Sequence, residues 1–171
     1  RQRAQEAMRQ KVQRGEVLTM VPIGYERSGR VGIEMSPDRQ VQEAIYALFD
    51  RLEAMGTLRQ VMLWYHEERL TFPRRRICQG VSAVEWSLPE YQHLLRIVRN
   101  PVYAGAFAYG RRRTMTSVVG GRSRKSAGRR VAMDEWQVLI RDHHAGYITW
   151  ERYMKNLDML KANSTRMHAV R

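Results

Sequence analysis

The residues of this chain with the most chemistry to offer are arginines in runs. Arg74-Arg75-Arg76 and Arg111-Arg112-Arg113 are uninterrupted triplets, and Arg122, Arg124, Lys125, Arg129 and Arg130 follow the second with no carboxylate before Asp134. A guanidinium is planar, permanently charged and forked, so it matches phosphate oxygens and base edges in pairs. Runs of it without acids describe a surface for a polyanion rather than a reaction centre. Whole-chain charge agrees: 30 Lys and Arg against 17 Asp and Glu leave +13 over 171 residues. Such an excess favours nucleic acid as partner over a merely basic surface.

Other reactive side chains are poorly placed for catalysis. Cys78 is the only cysteine, which excludes an internal disulfide and a Cys-rich zinc ribbon within these residues. No base is singled out to activate it. His143 and His144 are adjacent, so their side chains point apart, and no third ligand stands at site spacing. They read as turn-closing residues. A metal-dependent nuclease would need clustered acids where the cations lie. No cofactor and no metal are expected.

The elements that must position the arginines follow from periodicity and breakers. Arg1 to Arg14 is built of helix formers and stops at Gly15; with no initiator Met and no cap before it, it reads as the end of a longer helix. Arg9, Lys11 and Arg14 on it could lie along a phosphate backbone. Val21 to Tyr25 and Val31 to Ile33 are expected as strands of a hairpin turning at Arg27 to Arg30. Ser36 is the expected N-cap, with Pro37 at the first position, of a helix whose apolar face runs Val41, Ile45, Leu48, Phe49, Leu52 to Gly56. Thr57 and Gln60 form a capping box for a second helix through Leu58, Val61 and Tyr65. The pair has the outline of a helix-turn-helix, a weak signal alone, in which Arg59, Gln60 and His66 could face DNA.

Thr71 to Ser87 reads as a loop or irregular hairpin carrying the first arginine triplet. A capping box at Ser87 to Glu90 is expected to open a helix through Tyr91, Leu94 and Val98, its tyrosine on the core face, ending before Pro101. Tyr103 to Tyr109 is the next expected strand. Residues 111–133 hold eight cations among glycines and serines, too little apolar surface to order itself, so this arm is expected to be flexible until a polyanion neutralises it. Trp136 to Ile140 reads as a strand, with a helical turn at Asp134 to Trp136 as the alternative. Asp142 to Gly146 is a turn, and Thr149 caps a last helix carrying Tyr153, Leu157 and Leu160.

Several stretches in this order carry a family resemblance: Lys11 to Glu16, Val21-Pro22-Ile23-Gly24-Tyr25, the helix Gln42 to Phe49, Trp86, Ile97 to Gly105 with its Asn-Pro-Val-Tyr-Ala-Gly core, Tyr109-Gly110-Arg111 and His143 to Thr149. Together they resemble the DNA-binding "recombinase" domain of the large serine recombinases, over nearly the whole chain. The family often has His-Pro-Ala where this chain has His144-Ala145-Gly146, which puts the rigidity of that turn in question.

The resemblance implies an α+β fold, a small, mostly helical domain with short β-hairpins, preceded by the end of a long connecting helix. Residues 1–16 would be the linker helix from a catalytic domain, 17–163 the recombinase domain with its arm at 111–133, and 164–171 a tail. The family's nucleophilic serine and its zinc ribbon lie outside such a domain; Tyr25-Glu26-Arg27-Ser28 has its serine one position early and is rejected as catalytic. The implied function is binding of double-stranded DNA at attachment sites of a recombinase that cuts through serine esters. That parent would self-associate as dimers and tetramers, mainly through the catalytic domain, in bacterial or phage cytoplasm. No membrane partner is expected, because no apolar run approaches the roughly 20 residues a bilayer span needs. The rival readings are a basic RNA-binding module, disfavoured because the aromatics fall on predicted core faces, and a structural protein-interaction domain using the first helix.

Overall fold

A computed structural model of the chain describes residues 2–16, 21–29, 32–78, 81–119 and 122–169. In order these form α1 (Gln2–Gln13), β1 (Tyr25–Ser28), β2 (Gly32–Met35), α2 (Arg39–Met55), α3 (Leu58–Glu67), β3 (Phe72–Cys78), β4 (Val81–Ser87), α4 (Tyr91–Val98), β5 (Phe107–Tyr109), β6 (Arg112–Val119), β7 (Arg122–Arg130), β8 (Val138–Ile140) and α5 (Trp150–Ala169). Every strand pairs antiparallel with one partner: β1 with β2, β3 with β4, β5 with β8, and β6 with β7. This is the expected α+β class: helices supply most of the core, and the strands form separate two-stranded ribbons that add Tyr25, Ile33, Phe72 and Phe107 to the buried set.

The core is the apolar face read from the sequence. Val41, Ile45, Leu48, Phe49 and Leu52 of α2 and Leu58, Val61 and Tyr65 of α3 are buried against Leu94, Ile97 and Val98 of α4 and Tyr153 and Leu160 of α5. The α2–α3 corner follows its caps. Gly56 takes φ +70 and its N–H bonds to the Leu52 carbonyl, while the Thr57 hydroxyl accepts from the Gln60 N–H at 3.2 Å. Salt bridges from Arg152 to Asp50 and Glu53, both at 2.9 Å, lay α5 against α2.

Three motif segments distant in sequence close the core around one tyrosine cluster. The Tyr103 hydroxyl donates to the Ile23 carbonyl at 2.8 Å, the Tyr147 hydroxyl to the Gly24 carbonyl at 2.6 Å, and the Tyr25 hydroxyl lies 3.0 Å from both the Val102 and Ala145 carbonyls. Each pair of rings among the three lies within 6 Å between centroids. Backbone bonds from Tyr147 and Ile148 to the Tyr103 carbonyl complete the seam. Gly105 is required there: its φ is +71, and a Cβ would stand 2.5 Å from the His144 carbonyl oxygen. Gly146 packs equally close, since its Cβ would lie 2.7 Å from the Gly105 nitrogen. His144 donates from Nε2 to the Val102 carbonyl at 2.8 Å, and the His143 and His144 amides bond to Gly105. The two histidines therefore close the turn.

Local expectations were corrected in five places. The α2 N-cap is Asp38, whose carboxylate accepts from the Gln40 and Val41 amides; Ser36 is buried and instead bonds to Glu26, because a carboxylate satisfies two orphan amides where one hydroxyl serves one. Glu90, without a side-chain cap bond, precedes α4, and Tyr91 is exposed. Val21 to Gly24 leads into β1 as a turn rather than as strand, held by the Tyr25 amide on the Pro22 carbonyl. Pro101–Ala104 is a 3-10 turn, so strand begins only at Phe107. Residues 71–87 hold a regular seven-pair hairpin. At Trp136 to Ile140 both alternatives occur side by side, a 3-10 turn Met133–Glu135 followed by β8.

Candidate nucleic-acid interface

The segment expected to lack regular structure, 111–133, is the longest ribbon of the fold. β6 and β7 pair from Arg112↔Arg130 to Val119↔Arg122, with one irregularity between Arg113 and Met115. Its root is continuous with β5–β8. The Val131 amide bonds to the Arg111 carbonyl and the Gln137 amide to the Tyr109 carbonyl, while Gly110, at φ +78, turns the strand and the Met133–Glu135 turn takes up the slack on one side. Backbone pairing, continuous at its root with β5–β8, gives this segment regular structure.

Register places the ribbon's charges. Arg112 stands directly opposite Arg130 and Arg113 directly opposite Arg129. Like charges across a strand pair repel, and no carboxylate occurs in the chain between Glu90 and Asp134. Among the described residues Arg113 alone of these four has an acidic partner, Glu135 at 3.3 Å on the exposed surface. Arg122, Arg124 and Lys125 lie along β7 opposite Val119, Ser117 and Thr116; their side chains fall outside the described residues. Arg111 differs from its neighbours. It is half-buried, donates to Asn100 Oδ1 at 3.1 Å, and burial lowers its pKa, Tyr153 partly offsetting this and Arg130 and Arg112 adding to it.

The β3–β4 hairpin divides its arginine triplet between two tasks. Arg74 and Arg76 share one face: Arg74 lies 3.8 Å from Glu90 and Arg76 3.1 Å from Glu85, both pairs exposed. Arg75 points the other way. It donates to the Tyr25 carbonyl at 2.8 Å and to Ser82 at 2.9 Å, and its Nε is buried without a partner among the described residues. Arg75 thus fastens the hairpin to the tyrosine cluster. On α1, Arg9 and Lys11 are exposed, and just past its end Arg14 is paired with Glu16 at 2.6 Å. Arg9 lines an open groove with Met8, Val12 and Gln13, facing Tyr109, Gln137 and Val138 of the ribbon root. The end of α1 is set by Gly15, whose Cβ would meet His143 at 2.5 Å. Helix and ribbon root are therefore neighbours.

Of the helix-turn-helix candidates, Arg59 and Gln60 are exposed, whereas His66 bonds through Nε2 to the Pro89 carbonyl at 2.9 Å. Arg99 did not stand out in the sequence. It caps α4, and its carbonyl accepts from the Tyr153 hydroxyl at 3.2 Å. Only its position beside the ribbon root, where it contributes to the like-charge repulsion on Arg130, marks it as part of the same surface. No group of three or more His, Cys, Asp or Glu side chains among the described residues could hold a metal ion, and no helix there is long and apolar enough to cross a membrane.

Comparison with known proteins places this arrangement. An uncharacterized protein of Sinorhizobium fredii, y4bA/y4pH, is 38% identical over 164 residues, which is 95% of this chain but 23% of the relative. The chain thus spans about a quarter of the length of the curated relative it matches. The crystal structure of a LSR–DNA complex superposes at a TM-score of 0.59 with 12% identity, covering 94% of this chain and 38% of that one. A structure addressing the sequence requirements of the Listeria innocua prophage attP site superposes at 0.57 with 11% identity, covering 93% and 51%. At these identities the superpositions establish the shared fold. Residues 39–163, from the first turn of α2 into α5, match the Recombinase family model, and with the family's motif segments meeting in one tyrosine-lined core, the chain belongs to the Recombinase family.

Proposed function

We propose that this chain is the duplex-DNA-binding part of a serine site-specific recombinase and engages one half of a recombination attachment site. The observation that carries the reading is the ribbon β6–β7: an acid-free pair of strands whose cations oppose one another across the ladder. A surface that repels itself is stabilised by a polyanion, and a two-stranded ribbon fits the major groove of B-DNA. The fold shared with a DNA-bound LSR and with the protein studied at an attP site supports the same reading. Arg112, Arg113, Arg129 and Arg130 at the root, Arg122, Arg124 and Lys125 further along, Arg74 and Arg76 on β3, Arg9 and Lys11 on α1, and Arg14 just past its end are the proposed contacts. Arg75 and Arg111 serve it indirectly, by holding β3–β4 and the ribbon in place. Residues 1–16 would deliver the chain from a catalytic domain, and strand cleavage, self-association and integration or transposition belong to that parent protein. A cytoplasmic, nucleoid-associated setting follows from a DNA partner.

The test is a salt titration of binding to duplex DNA beside single-stranded RNA. Five to eight engaged cations give a slope of log affinity on log salt of about −4 to −7 for duplex. A slope near zero, or tighter binding to the RNA, refutes the reading.

A further inference from the structure

Several arginines meet where the ribbon root joins the core. Arg112 and Arg130 are cross-strand partners at the last pair before the ribbon joins the core. Beside them, Arg99, the residue that caps the C-terminus of α4, is fixed through its carbonyl by the hydroxyl of Tyr153, itself buried at 1% exposure. Arg111 is fixed through Asn100, next in sequence to Arg99. Two elements far apart in the chain thus bring Arg99, Arg111 and Arg130 to the neighbourhood of one tyrosine, with Arg112 across the ladder from Arg130. Among the described residues none of Arg99, Arg111, Arg112 or Arg130 lies within salt-bridge distance of a carboxylate.

We propose that Arg99, Arg112 and Arg130 converge on a single backbone phosphate of duplex DNA, with Arg111 and Tyr153 as positioning residues that hold the ribbon root against α4. The proposal rests on the DNA-binding reading and deepens it by naming one built phosphate site. Arg111 keeps its frame role because its guanidinium is committed to Asn100 and half-buried. The environment of the cluster is of one sign: Arg130, though partly in solvent, is held below its ordinary pKa by desolvation and then by Arg99 and Arg112. Burial raises the Tyr153 phenol to about 12 despite Arg111, Arg130 and Arg99, so it stays neutral and contributes no countercharge. A phosphate at this cluster relieves the repulsion of all the arginines at once, and bidentate guanidinium contacts suit its tetrahedral oxygens.

A double-mutant cycle on duplex binding with Arg99→Gln, Arg130→Gln and the double variant tests the sharing of one phosphate. Each single change is expected to weaken binding about ten-fold, as loss of a charge-assisted hydrogen bond does. The double variant should weaken it by clearly less than the product, with the salt slope shallower by about 0.9 in total. Fully multiplicative losses with a slope change near 1.8, or no loss at all, overturn the shared site. Parent protein that fails to bind duplex DNA overturns the functional reading itself, so the two failures are told apart. Folding of each variant is checked by its thermal midpoint. As a readout free of mutation, the Arg99 and Arg130 Nε resonances of the parent should shift together on titration with a short duplex. Shifts with inorganic phosphate but none with DNA would assign the cluster to a small anion and overturn the proposal.

Discussion

Arg75→Gln separates the architectural arginine from its neighbours in one triplet. In the folded chain the Arg75 guanidinium reaches the Tyr25 carbonyl at 2.8 Å in a partly buried setting and Ser82 at 2.9 Å on the surface. A hydrogen bond from a charged donor contributes about 1.5–3 kcal/mol, while the exposed one is replaced by water at little cost. Against this, the buried, unpartnered Nε is a desolvation penalty, and removing it returns about 1 kcal/mol. The net loss is about 0.5–2 kcal/mol, which for a chain of this size lowers the thermal midpoint by about 1–8 °C. Arg76→Gln breaks only the exposed pair with Glu85, worth about 0–1 kcal/mol, and should move the midpoint by less than about 4 °C. Binding should sort the other way: Arg75→Gln keeps the parent's salt slope when measured below its melting range, and Arg76→Gln flattens it by about 0.9. Both are read from a thermal melt and a fluorescence titration at four salt concentrations. An Arg75→Gln protein that melts with the parent and loses slope would refute the division of the triplet by strand face.

Further outcomes follow from the core and the seam. Leu94→Ala and Phe49→Ala, at 0% and 1% exposure, should cost about 2–5 and 3–5 kcal/mol in urea unfolding. Gly105→Ala puts a Cβ against the His144 carbonyl, whereas Gly56, at a similar positive φ, has nothing within 4 Å; the first should cost roughly 3 kcal/mol or more and the second about 1–2. Burial, then the neighbouring charge of His143, lowers the His144 pKa despite its bond to Val102, and burial with Arg74 and Arg96 lowers that of His93. Since folded pKa values below the unfolded one mean that the unfolded chain binds more protons, this stability is present above about pH 6.5 and is lost as pH falls through the folded values. The thermal midpoint should therefore drop between about pH 7 and pH 5, and His144→Gln should flatten that dependence.

Much of this protein is written locally. The heptad-like spacing of Val41, Ile45, Leu48 and Leu52, the Gly56–Thr57 corner and the Thr149 cap, whose hydroxyl accepts from the Arg152 amide at 3.2 Å, each depend on neighbours within one helical turn, so they were legible in the chain, as was the excess of arginine. Caps read from pairs of competing polar residues were less so: Ser36 lost the end of α2 to Asp38 because the choice turned on a long-range bond to Glu26. The motif segments, too, were recognisable without revealing that their tyrosines bond to one another's backbones.

What only the tertiary structure decided is which arginines face solvent and which face the core. Nothing in the sequence Arg74-Arg75-Arg76 distinguishes its members; the alternation of side chains across a strand turns the middle one toward Tyr25 and the outer two to solvent. Composition counts apolar surface and so does not show the β6–β7 ladder or its root at Gly110, Asn100 and β5–β8. Arg99 was one cation at the end of an amphipathic helix until the return of β7 brought Arg130 beside it. Charge is a property of the chain, but the convergence of charges is a property of register and packing, and these are set by contacts between residues that the sequence keeps far apart.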